Sequence, residues 1–268
     1  MNTNIHRGTA LITGASSGIG AVYADRLARS GYDLILVARR EDRLRALATQ
    51  LTDRTGRSVE ILPADLTNPA GLAKVEEVLK TDASITMFVN NAGIASTAPL
   101  LASDIDQMER MIALNVNVPT RLAYAVAPAF VARGAGTIVN IASIVALAPE
   151  VLTGVYGGSK AYVLAFSQSL QHELADKGVR VQAVLPGAIA TDLWETAGAS
   201  LSMLPPEMVM SVDDLVDAAL AGLEQGEQVT IPSLPDIGEW NAFERARVAM
   251  RPSLSRSVPA LRYGIAQD

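Results

Sequence analysis

Three side chains in the second half of the chain have the types and spacing to move a proton. Ser143 follows an apolar run ending Asn140-Ile141-Ala142, Tyr156 comes thirteen residues later, and Lys160 four residues after that. Positions four apart on a helix share a face, so Tyr156 and Lys160 can point together toward the strand end that carries Ser143. A phenol ordinarily titrates near about 10, too high for ready exchange at neutral pH, and an adjacent ammonium favours the phenolate. With Ser143 donating to a substrate oxygen and Tyr156 passing the proton, the set fits one half of a carbonyl/alcohol interconversion. The other half needs a hydride carrier. Tyr and Lys at this spacing also occur on helices that do no chemistry, so the rest of the chain must corroborate the pair.

Near the amino terminus, Ala10-Leu11-Ile12-Thr13-Gly14-Ala15-Ser16-Ser17-Gly18-Ile19-Gly20 runs from an apolar strand pattern through a glycine-spaced turn into a helix pattern. Glycines at such positions permit a sharp exit from the strand, close approach of backbone to a phosphate, and tight packing of helix on strand. Gly14-Ala15-Ser16-Ser17-Gly18 also fits the elbow of a serine hydrolase, but the chain has only His6 and His172, and His172 falls inside a predicted helix rather than after an acid. A phosphate loop of the Walker type fails too, since no lysine follows Gly18 at the required place.

Strand patterns recur over 9–13, 33–38, 59–62, 86–90, 137–141, 180–185 and 228–231, with helix-period segments between them. Helix starts are predicted at Asn68 before Pro69, at Ser103-Asp104 before Ile105, and at Ser211 with Asp214 as a capping box, and Gly226 is placed to end that last helix. Repeated β-α-β units imply an α/β fold with a parallel sheet, helices on both faces, and ligands at the carboxyl ends of the strands. The residues just past each strand are therefore diagnostic. After the second strand comes Ala38-Arg39-Arg40, where a carboxylate would select NAD by accepting the ribose hydroxyls. Arg39, assisted by Arg40, instead suits the 2′-phosphate of NADP, although a basic helix start would read the same way. Asp65-Leu66 comes after the third strand, where Asp65 either accepts from an adenine amino group or caps a turn. Asn90-Asn91-Ala92-Gly93 leaves the fourth.

With 268 residues, 49% hydrophobic content and 4% aromatic residues, the chain can build a large aliphatic core. No linker-like stretch divides it, so one domain over 1–268 is expected. Cysteine is absent, which excludes disulfides and thiolate metal sites, and no metal is expected. Residues 1–7 lack the apolar core of a signal peptide, and the alanine-rich run around 123–132 is too short for a membrane span and interrupted by Pro128. The net charge of -6 argues against nucleic acid. A cytoplasmic protein is expected.

Taken in order, Thr13-Gly14-x-x-x-Gly18-Ile19-Gly20, Asn90-Asn91-Ala92-Gly93, Ser143, Tyr156-x-x-x-Lys160 and Pro186-Gly187 resemble the short-chain dehydrogenase/reductase family in its compact single-domain form, over roughly residues 8–231. The resemblance implies a Rossmann-type, three-layer α/β/α fold with a doubly wound parallel sheet of about seven strands, and a nicotinamide cofactor. It implies Tyr156 as general acid/base, Lys160 as the group that lowers its pKa and holds the nicotinamide ribose, and Ser143 as the orienter of the substrate oxygen. Asn115 would complete a proton relay by helping to hold a water. Thr13, Gly14, Ser16, Ser17, Gly18, Ile19 and Gly20 would wrap the pyrophosphate, Asp65 and Leu66 flank adenine, and Asn91, Ala92 and Gly93 line the adenosine ribose side. Pro186, Gly187, Ile189 and Thr191 would border the nicotinamide. Arg39 matches members that prefer NADP over NAD.

The function this implies is hydride transfer between NADPH and a carbonyl or secondary alcohol, the alternative being a catalytically silent NADP-binding regulatory or scaffold protein. Two features depart from the pattern. Gly157 and Gly158 follow the tyrosine inside a helix, at about 1 kcal/mol each relative to Ala, which close backbone approach would explain. A tail over 232–268 extends past the last strand, where tetrameric members often end, and a homodimer or homotetramer is expected. Within it, 237–250 is predicted as a helix with Trp240 and Phe243 on one face and Arg245, Arg247 and Arg251 exposed, covering the substrate pocket or meeting another subunit. Residues 190–210, with Leu193, Trp194, Leu201, Met203 and Leu204, are expected to form an apolar lid over a small-molecule substrate.

Overall fold

The computed structural model describes residues 6–152, 154–191, 193–198 and 200–265; residues 1–5, at the start of the segment read for a leader, and the Met203 side chain fall outside them. The chain divides into two compact units, Met1–Pro232 and Ser233–Asp268.

Seven parallel strands form the sheet of the first unit: β1 (Thr9–Thr13), β2 (Asp33–Ala38), β3 (Val59–Pro63), β4 (Ile85–Asn90), β5 (Gly136–Ile141), β6 (Val179–Val184) and β9 (Val229–Thr230). Their order is β3-β2-β1-β4-β5-β6-β9, so the direction of winding reverses between β1 and β4. Two short strands, β7 (Ala188–Ile189) and β8 (Val209–Met210), pair separately and clamp both ends of the segment between them, which carries the single turn α7 (Leu193–Thr196). Alternate strand residues feed opposite layers. Ala10, Ile12, Leu34 and Leu36 pack with α1 (Gly18–Arg29), α2 (Glu41–Thr55) and α8 (Val212–Glu224). Leu11, Ile35 and Val37 pack with α3 (Pro69–Thr81), α5 (Val118–Arg133) and α6 (Gly154–Leu174). Each fully buried Leu, Ile or Phe contributes about 1.5–3 kcal/mol, and the two layers together fix the Rossmann-type α/β/α arrangement.

The predicted helix starts are made by the expected side chains. Asn68 accepts from Ala70 N at 2.9 Å, Asp104 from Asp106 N at 3.0 Å ahead of α4 (Ile105–Ile112), and Ser211 from Asp214 N at 3.0 Å. The box at Ser211 closes differently from the reciprocal pattern: the serine hydroxyl donates to the Asp214 carboxylate at 2.7 Å, the shorter aspartate meeting the side chain instead of reaching the backbone. Gly226, at φ +83, follows the end of α8. The last strand is shorter than the predicted 228–231 because it pairs with β6 through only two residues and Pro232 follows with no N–H to offer.

Gly157 and Gly158 are not explained by close approach. A Cβ on Gly157 would meet Pro149 at an ordinary 3.5 Å, and one on Gly158 would meet open space. Gly136 is different, because a Cβ there would lie 2.2 Å from the ring of fully buried Phe130.

In the second unit, α9 (Ile237–Ala249) starts at Asp236, whose carboxylate accepts from Gly238 N at 2.8 Å, and carries Trp240 and Phe243 with ring centroids 5.4 Å apart. Arg245 and Arg251 are exposed as expected, whereas Arg247 is half-buried in a pair with Glu244 at 2.7 Å. Residues 251–265 form two short turns and are exposed throughout.

Gly136→Ala should lower unfolding stability by about 1–3 kcal/mol through overpacking against Phe130, and Gly158→Ala should raise it by up to about 1 kcal/mol through helix propensity. Urea denaturation of the two variants checks both signs.

Candidate active site

The reversal between β1 and β4 opens a crevice at the carboxyl ends of the strands, where the sequence-predicted residues gather. Gly93 is the meeting point. A Cβ on it would fall 3.1 Å from Asn115 Oδ1 and 3.6 Å from Lys160 Nζ, so its bare backbone lets the β4 loop lie against both side chains. Asn115 sits in a widened π-type turn, Ala113–Asn117, between α4 and α5. Pro119, in the first turn of α5, has no N–H for the Asn115 carbonyl, and the ladder shifts so that Val118 N–H reaches Ala113 O. Asn115 spends its amide on protein partners: Oδ1 accepts from Ile94 N at 3.0 Å, and Nδ2 donates to Ile94 O at 2.8 Å and to Ser159 Oγ at 3.2 Å. Ser159 in turn donates to Tyr156 O at 2.8 Å, tying the π turn to the helix that carries the tyrosine.

On α6, Tyr156 and Lys160 are both buried, with Lys160 Nζ 5.8 Å from the centre of the Tyr156 ring. The ammonium donates to Ile141 O at 2.9 Å. Ser143 donates to Pro186 O at 3.3 Å and holds Val145 N at 3.4 Å. Burial dominates the protonation of this pair. It pushes the Tyr156 phenol up to about 12, against a smaller downward pull from its hydrogen bond with Ser143, and it brings Lys160 down to about 8. The expectation that Lys160 depresses the phenol is therefore outweighed here: removal of both groups from water favours their neutral forms.

The glycine turn has the form of an anion cradle. Gly14 and Gly18 adopt φ +67 and +54, and a Cβ on Gly20 would strike Gly14 O at 2.5 Å. Ser17, at the start of α1, makes no side-chain cap, and the first turn of α1 holds no acid, which leaves a positive helix end facing the turn. Thr13 and Asn91 brace this turn from behind. Thr13 Oγ1 accepts from Asn91 N and Ala92 N, both at 3.0 Å, and Asn91 Nδ2 donates to Thr13 O at 2.9 Å. Thr191 approaches from the opposite side, where a Cβ on Gly18 would meet its methyl at 3.3 Å.

Of the two arginines, Arg40 reaches over the cradle to Ser16 and Ser17 Oγ at 3.3 and 3.2 Å. Arg39 is exposed and its charge adds to the lowering of Asp65. That lowering comes mainly from Thr67, which donates its backbone N–H at 2.9 Å and its hydroxyl at 2.7 Å to Asp65 Oδ1, so Asp65 builds a turn. Leu66 beside it is buried. Pro186 O accepts from Ile144 N at 2.9 Å, placing Pro186 and Gly187 beside the Ser143 loop, and Ile189 is buried in β7.

Sequence reasoning missed the wall around the phenol. Met108 and Met111 of α4 pack with Val145 and Tyr156, joined by Ile94, Ala95, Leu152 and Val155. Methionines at 108 and 111 repeat at helical spacing, a signal indistinguishable from ordinary core. Ser159 was visible only as the neighbour of Lys160. The segment between β7 and β8 is held by Ala197 O, which accepts from Thr97 N at 3.1 Å and Thr97 Oγ1 at 2.9 Å, and by Trp194 Nε1 donating to Ile189 O at 2.9 Å.

Residues 8–201 match the short chain dehydrogenase family. A short-chain dehydrogenase from Sphingobium yanoikuyae, solved in complex with NADPH, is 50% identical with a TM-score of 0.92, over 94% of this chain and 98% of that one. The bulky-bulky ketone specific alcohol dehydrogenase from Comamonas testosteroni is 44% identical with a TM-score of 0.89, over 97% and 99% of the two chains. Sulfoacetaldehyde reductase 2 of Chromohalobacter salexigens is 38% identical over 245 residues, 87% of this chain and 96% of its own. With this match and the Ser143, Tyr156 and Lys160 geometry in hand, the protein belongs to the short-chain dehydrogenase/reductase family of oxidoreductases.

Proposed function

We propose that the protein is an NADPH-dependent reductase of uncharged, apolar ketones or aldehydes. The observation that carries this reading is the buried Tyr156 phenol, set beside Lys160 and Ser143 and walled by Met108, Met111 and Val145. A sulfonated substrate like that named for the Chromohalobacter salexigens relative would need a cation to receive it, whereas the side chains packed on Tyr156 in this wall are uncharged. The Comamonas testosteroni ketone relative offers the better analogy.

The nicotinamide dinucleotide, when bound, supplies the hydride. Its pyrophosphate fits the cradle of Gly14, Ser16, Ser17, Gly18, Ile19 and Gly20, with Arg39 and Arg40 placed for a 2′-phosphate, and Leu66 and Ala92 on the adenosine side. Pro186, Gly187, Ile189 and Thr191 line its other end. Tyr156 then gives its proton to the carbonyl oxygen, which Ser143 orients by a hydrogen bond. Lys160 keeps a positive charge near that oxygen as negative charge develops there. Asn115 acts as a positioning residue: its amide is committed to Ile94 and Ser159, and through them it fixes the loop and the helix that flank Lys160. The segment over 190–210, clamped by β7 and β8, serves as the lid over the apolar wall.

Tyr156→Phe is expected to lower kcat for ketone reduction by at least about 100-fold while NADPH still quenches protein fluorescence with similar affinity; retention of full activity contradicts the assignment. The pH profile has a defined sign. Tyr156 stays protonated up to about 12, while Lys160 loses its proton above about 8, so reduction should decline as pH rises through 8. A kcat profile that stays level from pH 7 to about 9.5 contradicts the role given to the ammonium. Arg39→Asp should shift the ratio of kcat/KM for NADPH over NADH toward NADH by about 10- to 100-fold, the worth of a lost charge-assisted hydrogen bond. An unchanged ratio, measured on a panel of ketones and aldehydes, removes Arg39 from cofactor choice.

A further inference from the structure

The loop that leaves β4 meets the reaction site at one end and the lid a few residues later. At its start, Ile94 N donates to Asn115 Oδ1 at 3.0 Å and Ile94 O accepts from Asn115 Nδ2 at 2.8 Å, while Ile94 and Ala95 pack in the group that holds Tyr156. At its far end, Ser103 Oγ donates to Ala98 O at 2.9 Å and to Pro99 O at 2.8 Å. Between these anchors, Ala98 N donates to the hydroxyl of buried Ser96 at 3.3 Å. Residues 94–99 are thus braced from both sides, and half-buried Thr97 stands on a fixed platform.

The segment between β7 and β8 is tied to its own base where Ala188 pairs with Val209 and Ile189 with Met210, and where Trp194 Nε1 donates to Ile189 O at 2.9 Å. Thr97 makes a different kind of tie, because it crosses from the lid to the opposite rim. Ala197 O, just past the four-residue α7, accepts from both Thr97 N at 3.1 Å and Thr97 Oγ1 at 2.9 Å. That carbonyl needs partners. A helix of one turn leaves its last carbonyls without a following turn to bond them, and Ala197 is buried, so an unmet acceptor here would be costly. The chain is also shaped to aim it: Ala197 N donates back to Leu193 O at 2.9 Å, and Gly198, at φ +83, turns the backbone away directly afterwards.

We propose that Thr97 is a positioning residue that latches the lid over the substrate, its hydroxyl bonding the Ala197 carbonyl from the loop that Asn115 holds beside Tyr156 and Lys160; this rests on the reading of 190–210 as the lid of a reductase of apolar ketones. When the lid closes, the Ala197 carbonyl leaves water and two donors on Thr97 offset that loss. When it opens, water takes their place, so the latch favours the closed state by only a modest factor and does not trap product. The platform also sets where the lid comes to rest. Ile94 and Ala95 line the phenol three and two residues before Thr97, and a Cβ on Gly93 would lie 3.6 Å from Lys160 Nζ, so the lid docks on the same braced loop that flanks the proton-transfer groups. Since Asn115 and Ser103 brace that loop without the lid, loss of the Thr97 hydroxyl loosens the lid and leaves the phenol in place.

Two readouts on the full chain test the latch. In steady-state reduction of acetophenone by NADPH, Thr97→Val, which keeps the shape and removes the hydroxyl, should raise KM by about 3- to 10-fold with kcat changed less than about 2-fold, the worth of one net hydrogen bond. Thr97→Ser keeps the donor and should restore most of the wild-type KM. The second readout needs no turnover. The chain has two tryptophans, so in a Trp240→Phe background the emission comes from Trp194 of the lid, and with NADPH present Thr97→Val should raise its acrylamide quenching by at least about 2-fold. Quenching therefore decides the latch even if no ketone is turned over, an outcome that would count against the reductase reading alone. Gly198→Ala, strained at its positive φ, should move the quenching in the same direction and carries the test if Thr97→Val fails to fold by circular dichroism. Wild-type quenching in Thr97→Val, or a serine variant that behaves as valine does, would overturn the proposal. So would a fall in kcat with KM and quenching unchanged, which would make Thr97 a support of the loop instead of the lid.

Discussion

The site depends on keeping an ammonium group out of water. Lys160 is buried to 7% accessibility, and its Nζ is held by the Ile141 carbonyl at the end of β5. A buried cation is costly unless polar groups are aimed at it, and this requirement explains much of the surrounding architecture. The strand must end where its carbonyl turns toward α6, Gly93 must lack a side chain so that the β4 loop can close in, and Asn115 must be fixed beside it. The cost has a defined pH dependence. Because burial lowers the lysine to about 8 in the fold while an unfolded lysine holds its proton to about 10.5, the penalty is complete below pH 8 and fades as pH rises between the two values. A stable protein accepts that penalty where the charge has a task, and next to a buried phenol the task is proton transfer.

The second constraint is the reversal of winding between β1 and β4. It opens the only kind of crevice a twisted parallel sheet offers at its carboxyl end, and the cradle and the proton-transfer group lie on its two sides. Thr13 and Asn91 join the two strands across this gap, each side chain bonding the backbone of the other strand. They set the shape of the turn that Gly14, Gly18 and Gly20 make possible.

How much of this was legible in the sequence depends on how local each feature is. β1 and β2 were readable to the residue, since an apolar run buried on both faces and bounded by polar residues carries its own limits. Asn68, Asp104 and Ser211 were readable as caps because a cap depends on the next three residues. The convergence of Ser143, Tyr156 and Lys160 was readable because strand ends and helix spacing are regular. Features set by contacts between distant segments were not. The π turn around Asn115 arises from Pro119 together with packing against Ile94 and Ser159, separated from Asn115 by 21 and 44 residues. Asp65 could serve a base, a turn or both, and only the fold shows Thr67 engaging its Oδ1. Arg39 and Arg40 are equal in sequence, yet Arg40 is the one that reaches Ser16 and Ser17. The balance of burial against charge at Tyr156 is likewise set by everything packed around it.

Lys160 organises the site as a desolvated ammonium, and that group can be observed directly. An NMR titration of the Lys160 side chain, assigned by loss of its signal in Lys160→Met, should show the proton leaving at about 8 in the folded protein. A midpoint at the ordinary lysine value of 10.5 would mean that water reaches the ammonium, and it would contradict the picture of a buried charge that organises the site.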